Sequence, residues 1–163
     1  MTFLNANRYS NARAERPKKG SQKWWVVALV SIFGAAISLP AWAELFVIVN
    51  HANSISSMSA SDVERLFLKK TVRFSNGANA EPVAQLENSA PRQAFNRLVL
   101  QRDEQQLKYY WSRRMFAGLE RPPPVLNTQE DVIKVVSANP DAIGYVTIKP
   151  DSDQVRVVLR VKE

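Results

Sequence analysis

The segment Asn88-Ser89-Ala90-Pro91-Arg92 holds the residues in this chain best suited to binding chemistry. Ser89 is a natural N-cap, and Pro91 falls in the first turn of the helix it opens. A helix N-terminus carries unpaired N–H groups and a partial positive charge, which together can hold an anion. Asn88 and Ser89 offer donors from the preceding loop. Arg92, three residues after Ser89, offers a cation on the first turn. The spacing predicts a weak oxyanion site at Asn88, Ser89 and Arg92. An ordinary N-cap serine and a solvated arginine fit the same residues, and Pro91 removes one N–H from the turn.

Other candidates carry less. His51 is the only histidine. It follows an apolar run, where open α/β sheets present ligand loops. No acid or second histidine stands near it at metal-ligand spacing, and cysteine is absent. Neither a metal nor a cofactor is expected. Ser54, Ser56, Ser57 and Ser59 are donors, but a Ser/Asn loop has turning as its simplest role. Tyr109, Tyr110 and Trp111 suggest an aromatic platform. At helical spacing, Leu107, Tyr110, Trp111 and Met115 instead predict a core stripe. There is no Gly-x-Ser-x-Gly, no assembled Ser/His/Asp set and no carboxylate pair with a reason to be buried. No catalytic residue is expected, and the chain does not read as an enzyme.

The elements that must position these residues follow from periodicity and punctuation. Leu45–Val49 is apolar on both faces and predicts a central buried strand. Asn50–Ser59 predicts a loop. Ser61-x-x-Glu64 has the form of a capping box and predicts a first helix over 60–69. Glu81–Leu86 predicts a second strand, and Ser89 to Leu100 a second helix. Asp103-x-x-Gln106 opens a third helix, ended by Gly118. Arg121–Leu126 must be extended. Thr128 caps a fourth helix that stops at Asn139-Pro140. Ile143–Ile148 and Val155–Lys162 predict two final strands, read as a hairpin, the last presenting Arg156, Arg160 and Lys162 on one wet face. This order of elements predicts an α/β sandwich with a central mixed sheet flanked by about four helices.

Charge and the N-terminus bound the rest. Trp24–Leu39 has no charged residue and is preceded by Arg8, Arg13, Arg16, Lys18, Lys19 and Lys23. Pro40-Ala41-Trp42-Ala43 then supplies an A-x-A site. Residues 1–43 read as a signal peptide cleaved after Ala43. The alternative is an uncleaved anchor, since roughly 18 apolar residues can span a bilayer. The basic flank keeps the N-terminus in the cytoplasm, so residues 44–163 are expected in the periplasm, free or anchored to the inner membrane. Six of the 22 Lys and Arg residues and one of the 15 acids precede residue 44. The remainder carries 16 basic and 14 acidic residues, a net of only +2. That excludes a nucleic-acid reading, which needs a basic patch on the folded domain. Membrane contact is expected only through the N-terminal segment, if it is retained.

Several segments taken in order resemble one family. Leu66-Phe67-Leu68-Lys69-Lys70 resembles its IFLGK stretch. Arg73-Phe74-Ser75-Asn76-Gly77 resembles its aromatic turn. Phe95…Val99-Leu100, Tyr110-Trp111-Ser112-Arg113 and Phe116-x-Gly118…Pro122-Pro123 follow in register. Asn139-Pro140-Asp141-Ala142-Ile143-Gly144-Tyr145-Val146 is close to the family's AIGYV motif. The series, from about residue 45 to 147, is similar to the phosphate ABC-transporter substrate-binding proteins, in a short, single-lobe form of the periplasmic-binding-protein-like fold.

The resemblance implies a phosphate-like ligand held between two lobes. It also implies two departures. The family's Gly/Ser/Thr-rich opening is missing, so residues 44–163 look like half of a clamp. The family's R-x-x-x-SGT anion loop falls on Gln85-Leu86-Glu87-Asn88-Ser89-Ala90-Pro91, where only the serine is kept and Glu87 adds a like charge. Two readings remain open. One is weak capture of a small oxyanion for transport or sensing, with a homodimer closing the cleft. The other is an interaction or accessory module, with a protein partner, that kept the fold and lost the anion.

Overall fold

The computed structural model describes residues 44–162, which belong to a single compact unit. The expected signal peptide, its cleavage site and the alternative anchor lie outside the described residues. Strand β1 (Glu44–Asn50) occupies the interior of a four-stranded sheet ordered β2-β5-β1-β6. Its partners are β5 (Ala142–Val146) and β6 (Val155–Lys162), both antiparallel to it. Side chains alternate across a strand, so β1 feeds two cores. Leu45, Val47 and Val49 enter a large core with Ile143, Tyr145, Phe67, Phe95 and Trp111. Phe46 and Ile48 enter a smaller one with Val132, Val136 and Val146. The sheet is mixed, because β2 (Glu81–Pro82) runs parallel to β5. The expected architecture, an α/β layer structure with a central mixed sheet and four helices, is what forms.

Helix α1 (Ala60–Phe67) buries Val63, Leu66 and Phe67. Its cap is Ser59, not the expected Ser61. Ser59 has an extended backbone, and its hydroxyl accepts from Asp62 N–H at 3.1 Å. Asp62 rather than Glu64 completes that end, since the Ser59 hydroxyl donates back to its carboxylate at 2.6 Å. Helix α2 (Ala90–Phe95) widens into a π-helical turn over Asn96–Leu100 and ends at Gln101, whose φ is +50°. Helices α3 (Glu104–Phe116) and α4 (Gln129–Ala138) start with the reciprocal caps expected from Asp103/Gln106 and from Thr128, the latter completed by Asp131.

Two expectations change with the sheet. The run 81–86 serves two sheets, not one. Its N–H groups alternate sides: Glu81 and Val83 donate to Asp141 and Ile143, while Ala84 donates to Pro124. The segment thus bridges β5 to a small sheet in which β3 (Ala84–Gln85) lies parallel to β4 (Val125–Leu126).

The final hairpin does not form either. β1 lies between β5 and β6, because a strand apolar on both faces takes an interior place with a partner on each edge. The register of β6 on β1 shifts between Val47 and Ile48, so Val158 is an extra residue. This bulge splits the expected basic face. Arg156 turns inward and donates to the Asn53 carbonyl at 2.9 Å. Arg160 and Lys162 lie on the opposite face beside Glu44, and Arg160 pairs with that carboxylate.

Helix α4 presses on β5 at Gly144. A Cβ there would stand 2.5 Å from a Val132 methyl, 3.2 Å from Val83 and 3.3 Å from Val136. Overpacking of a tight core costs about 1–3 kcal/mol. Gly144→Ala is expected to lower the unfolding free energy by about that amount in urea titrations, with the far-ultraviolet circular dichroism of the folded state retained.

Candidate functional site

The carboxyl ends of β3 and β4 and the start of α2 form the region where the sequence places the anion. Ser89 caps α2 with an extended backbone, and its Oγ accepts from Arg92 N–H at 3.4 Å. The same hydroxyl donates to the Leu86 carbonyl at 2.8 Å. Its one proton is therefore already placed within the protein. Asn88 sits in the left-handed region, φ +64°, and its carbonyl accepts from Gln93 Nε2 at 3.1 Å. Pro91 contributes no N–H.

Arg92 points into a cleft of about 260 Å³ between α3 and the Pro122–Val125 segment. There it grips Glu104 with two bonds, Nε to Oε2 at 3.2 Å and Nη2 to Oε1 at 3.0 Å. Asn96 Nδ2 adds a third donor to the same carboxylate at 2.7 Å. The pair is largely shielded, with side-chain exposures of 14% for Arg92 and 24% for Glu104. At the rim, Lys108 pairs with Glu87 at 2.8 Å. Two cations and two carboxylates line the cleft, so their formal charges cancel. Its other walls are mostly apolar, from Phe95, Leu107, Trp111, Pro122 and Val125.

The position that the resemblance gives to the family's arginine is also closed. Gln85 is buried, and its side-chain amide donates to the Tyr145 carbonyl at 2.6 Å. Its backbone N–H donates to the Tyr145 hydroxyl at 3.0 Å. Tyr145 is fully buried and stacks on Phe95, with centroids 4.0 Å apart and an interplanar angle of 3°. Burial pushes its phenol above the ordinary value, while the Gln85 N–H and Arg92 act in the opposite direction. Tyr145 is thus a buried strand residue packed beside the cleft.

Of the three expected site residues, Ser89 and Arg92 are engaged with other protein groups, and Asn88 serves the turn through its backbone. Glu104 and Asn96 are the members that sequence reasoning missed. The only signal for Glu104 is its place in the first turn of α3, where an acid is expected in any case. His51 is exposed in the turn after β1. Ser54, in the Asn/Ser loop, accepts at Oγ from Asn76 Nδ2 of the turn before β2 at 2.8 Å. Of the expected α3 core stripe, Leu107 and Trp111 are buried and Tyr110 partly so, but Met115 is exposed. Among the described residues no group of His, Asp and Glu could hold a metal, and no helix is long and apolar enough to cross a membrane.

No family model and no curated protein matches the sequence. Solved structures do match the fold. A candidate phosphate ABC transporter substrate-binding protein from Clostridium perfringens, solved with bound phosphate, aligns with a TM-score of 0.57 at 17% identity over 71% of this chain. An ABC-type phosphate transport receptor from Vibrio cholerae aligns at 0.55, 16% and 71%. PstS from Borrelia burgdorferi aligns at 0.53, 13% and 72%. The resemblance read from the sequence is borne out at the level of fold: this chain has a solute-binding-protein-like architecture. The alignments cover 45%, 46% and 47% of those three proteins, so this chain spans less than half of each.

The ion pair predicts a stability effect that a solvated arginine lacks. Arg92→Ala and Glu104→Ala are each expected to cost about 1–3 kcal/mol. A double-mutant cycle in urea should show a coupling of about 0.5–3 kcal/mol. Tyr145 adds a pH effect. Its folded pKa lies above the ordinary 10.0, so its contribution is intact below that value and is lost as pH rises through the folded pKa. Unfolding free energy should therefore fall as the pH is taken above about 10, and Tyr145→Phe should reduce that slope.

Proposed function

We propose that this protein is an exported, non-catalytic interaction or accessory module, built on the solute-binding-protein fold and without a working anion clamp. Residues 1–43 serve as its signal peptide, and residues 44–163 are its periplasmic domain. The observation that carries this reading is the Arg92–Glu104 pair. The cation best placed to greet an anion beside α2 is neutralised by a carboxylate held by three donors. Removing it from that partner would leave Glu104 largely desolvated and without its countercharge, which opposes anion capture. The engaged Ser89 hydroxyl and the absent N–H of Pro91 act in the same direction.

The competing reading is weak oxyanion capture at Asn88, Ser89 and Arg92 for transport or sensing. Its support is the fold shared with the phosphate-transport proteins of Clostridium perfringens and Vibrio cholerae. A single lobe covers one side of an anion, so this reading needs a second copy to close the site.

Calorimetric titration of residues 44–163 with phosphate and sulfate separates the two. Binding weaker than millimolar, unchanged by Ser89→Ala, is the expected outcome. Micromolar phosphate binding that Ser89→Ala abolishes would overturn the proposal. N-terminal sequencing of the exported product should begin at Glu44.

A further inference from the structure

A second surface lies away from the cleft, on the outer side of α3. Arg102, Tyr109, Tyr110, Arg113, Arg114 and Leu119 line one open cavity of about 500 Å³. The guanidinium carbon of Arg102 lies 5.9 Å from the Tyr110 ring centroid, and that of Arg114 lies 5.6 Å from the same ring. Arg113 stands 5.7 Å from the centroid of Tyr109. The tyrosines therefore gather three cations into one patch. Arg114 is steadied by donating to the Lys69 carbonyl at 3.3 Å, and Tyr110 by donating to the Leu68 carbonyl at 2.7 Å.

Among the described residues, no carboxylate lines this cavity. Two acids are adjacent in sequence to the lining residues: Asp103, which caps α3 by accepting from Gln106 N–H at 2.7 Å, and the exposed Glu120; neither lines the cavity. Nε of Arg102 and Nε of Arg114 are buried and have no hydrogen-bond partner among the described residues. Three like charges held together without an acid are a poor arrangement for a solvated face, where opposite charges normally alternate. They suit a ligand that presents several negative charges at once.

The neighbouring side chains narrow the class of ligand. Tyr109, Arg113 and Phe116 follow one another at i, i+4 and i+7, one face of the helix. Tyr109 is 65% exposed, Phe116 93% and Leu119 55%. Exposed Phe and Leu beside Tyr and Arg match a surface that sets apolar groups at the acyl boundary and cations at the headgroups. A soluble anion would have no use for Phe116.

We infer that this arginine–tyrosine surface docks the domain on an anionic phospholipid membrane, with Arg102, Arg113 and Arg114 binding headgroup phosphates and Phe116 and Leu119 seated between them. Such contact is separate from any made by residues 1–43, to which the sequence alone confines membrane contact. It does not depend on the state of the α2 region. A cation near an anionic bilayer contributes about fivefold in partitioning, so three together contribute roughly a hundredfold.

Flotation of residues 44–163, which contain both cores and the whole sheet, tests the inference with vesicles rich in phosphatidylglycerol and with pure phosphatidylcholine vesicles. The expected result is low-salt binding to the anionic vesicles alone, released at high salt. The triple variant R102A/R113A/R114A should lose roughly a hundredfold. Arg113→Glu, at an exposed position whose contact is the Tyr109 ring, should lose binding at an unchanged melting temperature. Phe116→Ser should weaken binding by a few-fold. Equal binding to both vesicle types, or equal binding by wild type, triple variant and Arg113→Glu, would overturn the inference. So would displacement by millimolar inorganic phosphate at constant ionic strength, which would make free phosphate the occupant.

Discussion

The structure depends on covering both faces of β1. Five consecutive apolar residues, Leu45 to Val49, are at or near full burial. Burying each such side chain contributes on the order of 1.5–3 kcal/mol, an advantage available only if both faces are sealed. Helices α1 to α3 seal one face and α4 the other. The same demand gives β1 a partner strand on each edge and so separates β5 from β6. Gly144 lets α4 approach closely enough to close the smaller core. The bulge at Val158 then sends Arg156 and Arg160 to opposite sides of β6.

Tyr145 links this core to the cleft. Its ring stacks on Phe95 in the main core, and its hydroxyl and carbonyl hold Gln85 where β3 ends. Packing therefore braces the cleft from below. Above it, Glu104 from α3 meets Arg92 from α2. This pairing ties together two helices that are separated in sequence by the π-helical turn. A group that the sequence suggests for anion binding thereby becomes part of the structural framework. The fold shared with phosphate receptors and the chemistry of this cleft are thus independent properties of the chain.

Much of the architecture was legible. The doubly apolar run marked β1, because an interior strand needs no polar alternation. Asp103 and Thr128 marked the starts of α3 and α4, since capping is a local matter between residues three apart. Caps failed only at α1, where Ser59 and Ser61 are both plausible and backbone conformation decides. The register of β6 was not legible. A bulge adds one residue without changing composition, and every side chain beyond it changes face. Met115 and Phe116 were also misplaced or passed over, because helical spacing shows which residues share a face and not where the covering core ends.

The sequence by itself determined the element order, three of the four helix caps and the α/β class, because these follow from periodicity and from contacts within a few residues. It also separated the charge of the first 43 residues from that of the rest. Only the tertiary structure decided which cations are free. Arg92 and Glu104 lie twelve positions apart, and nothing local says that they meet. Arg102, Arg113 and Arg114 read as ordinary surface residues until the fold leaves them together on two tyrosine rings, with no carboxylate among the described residues lining their cavity. Electrostatic partnership depends on distance in space, and that distance exists only after the helices have packed.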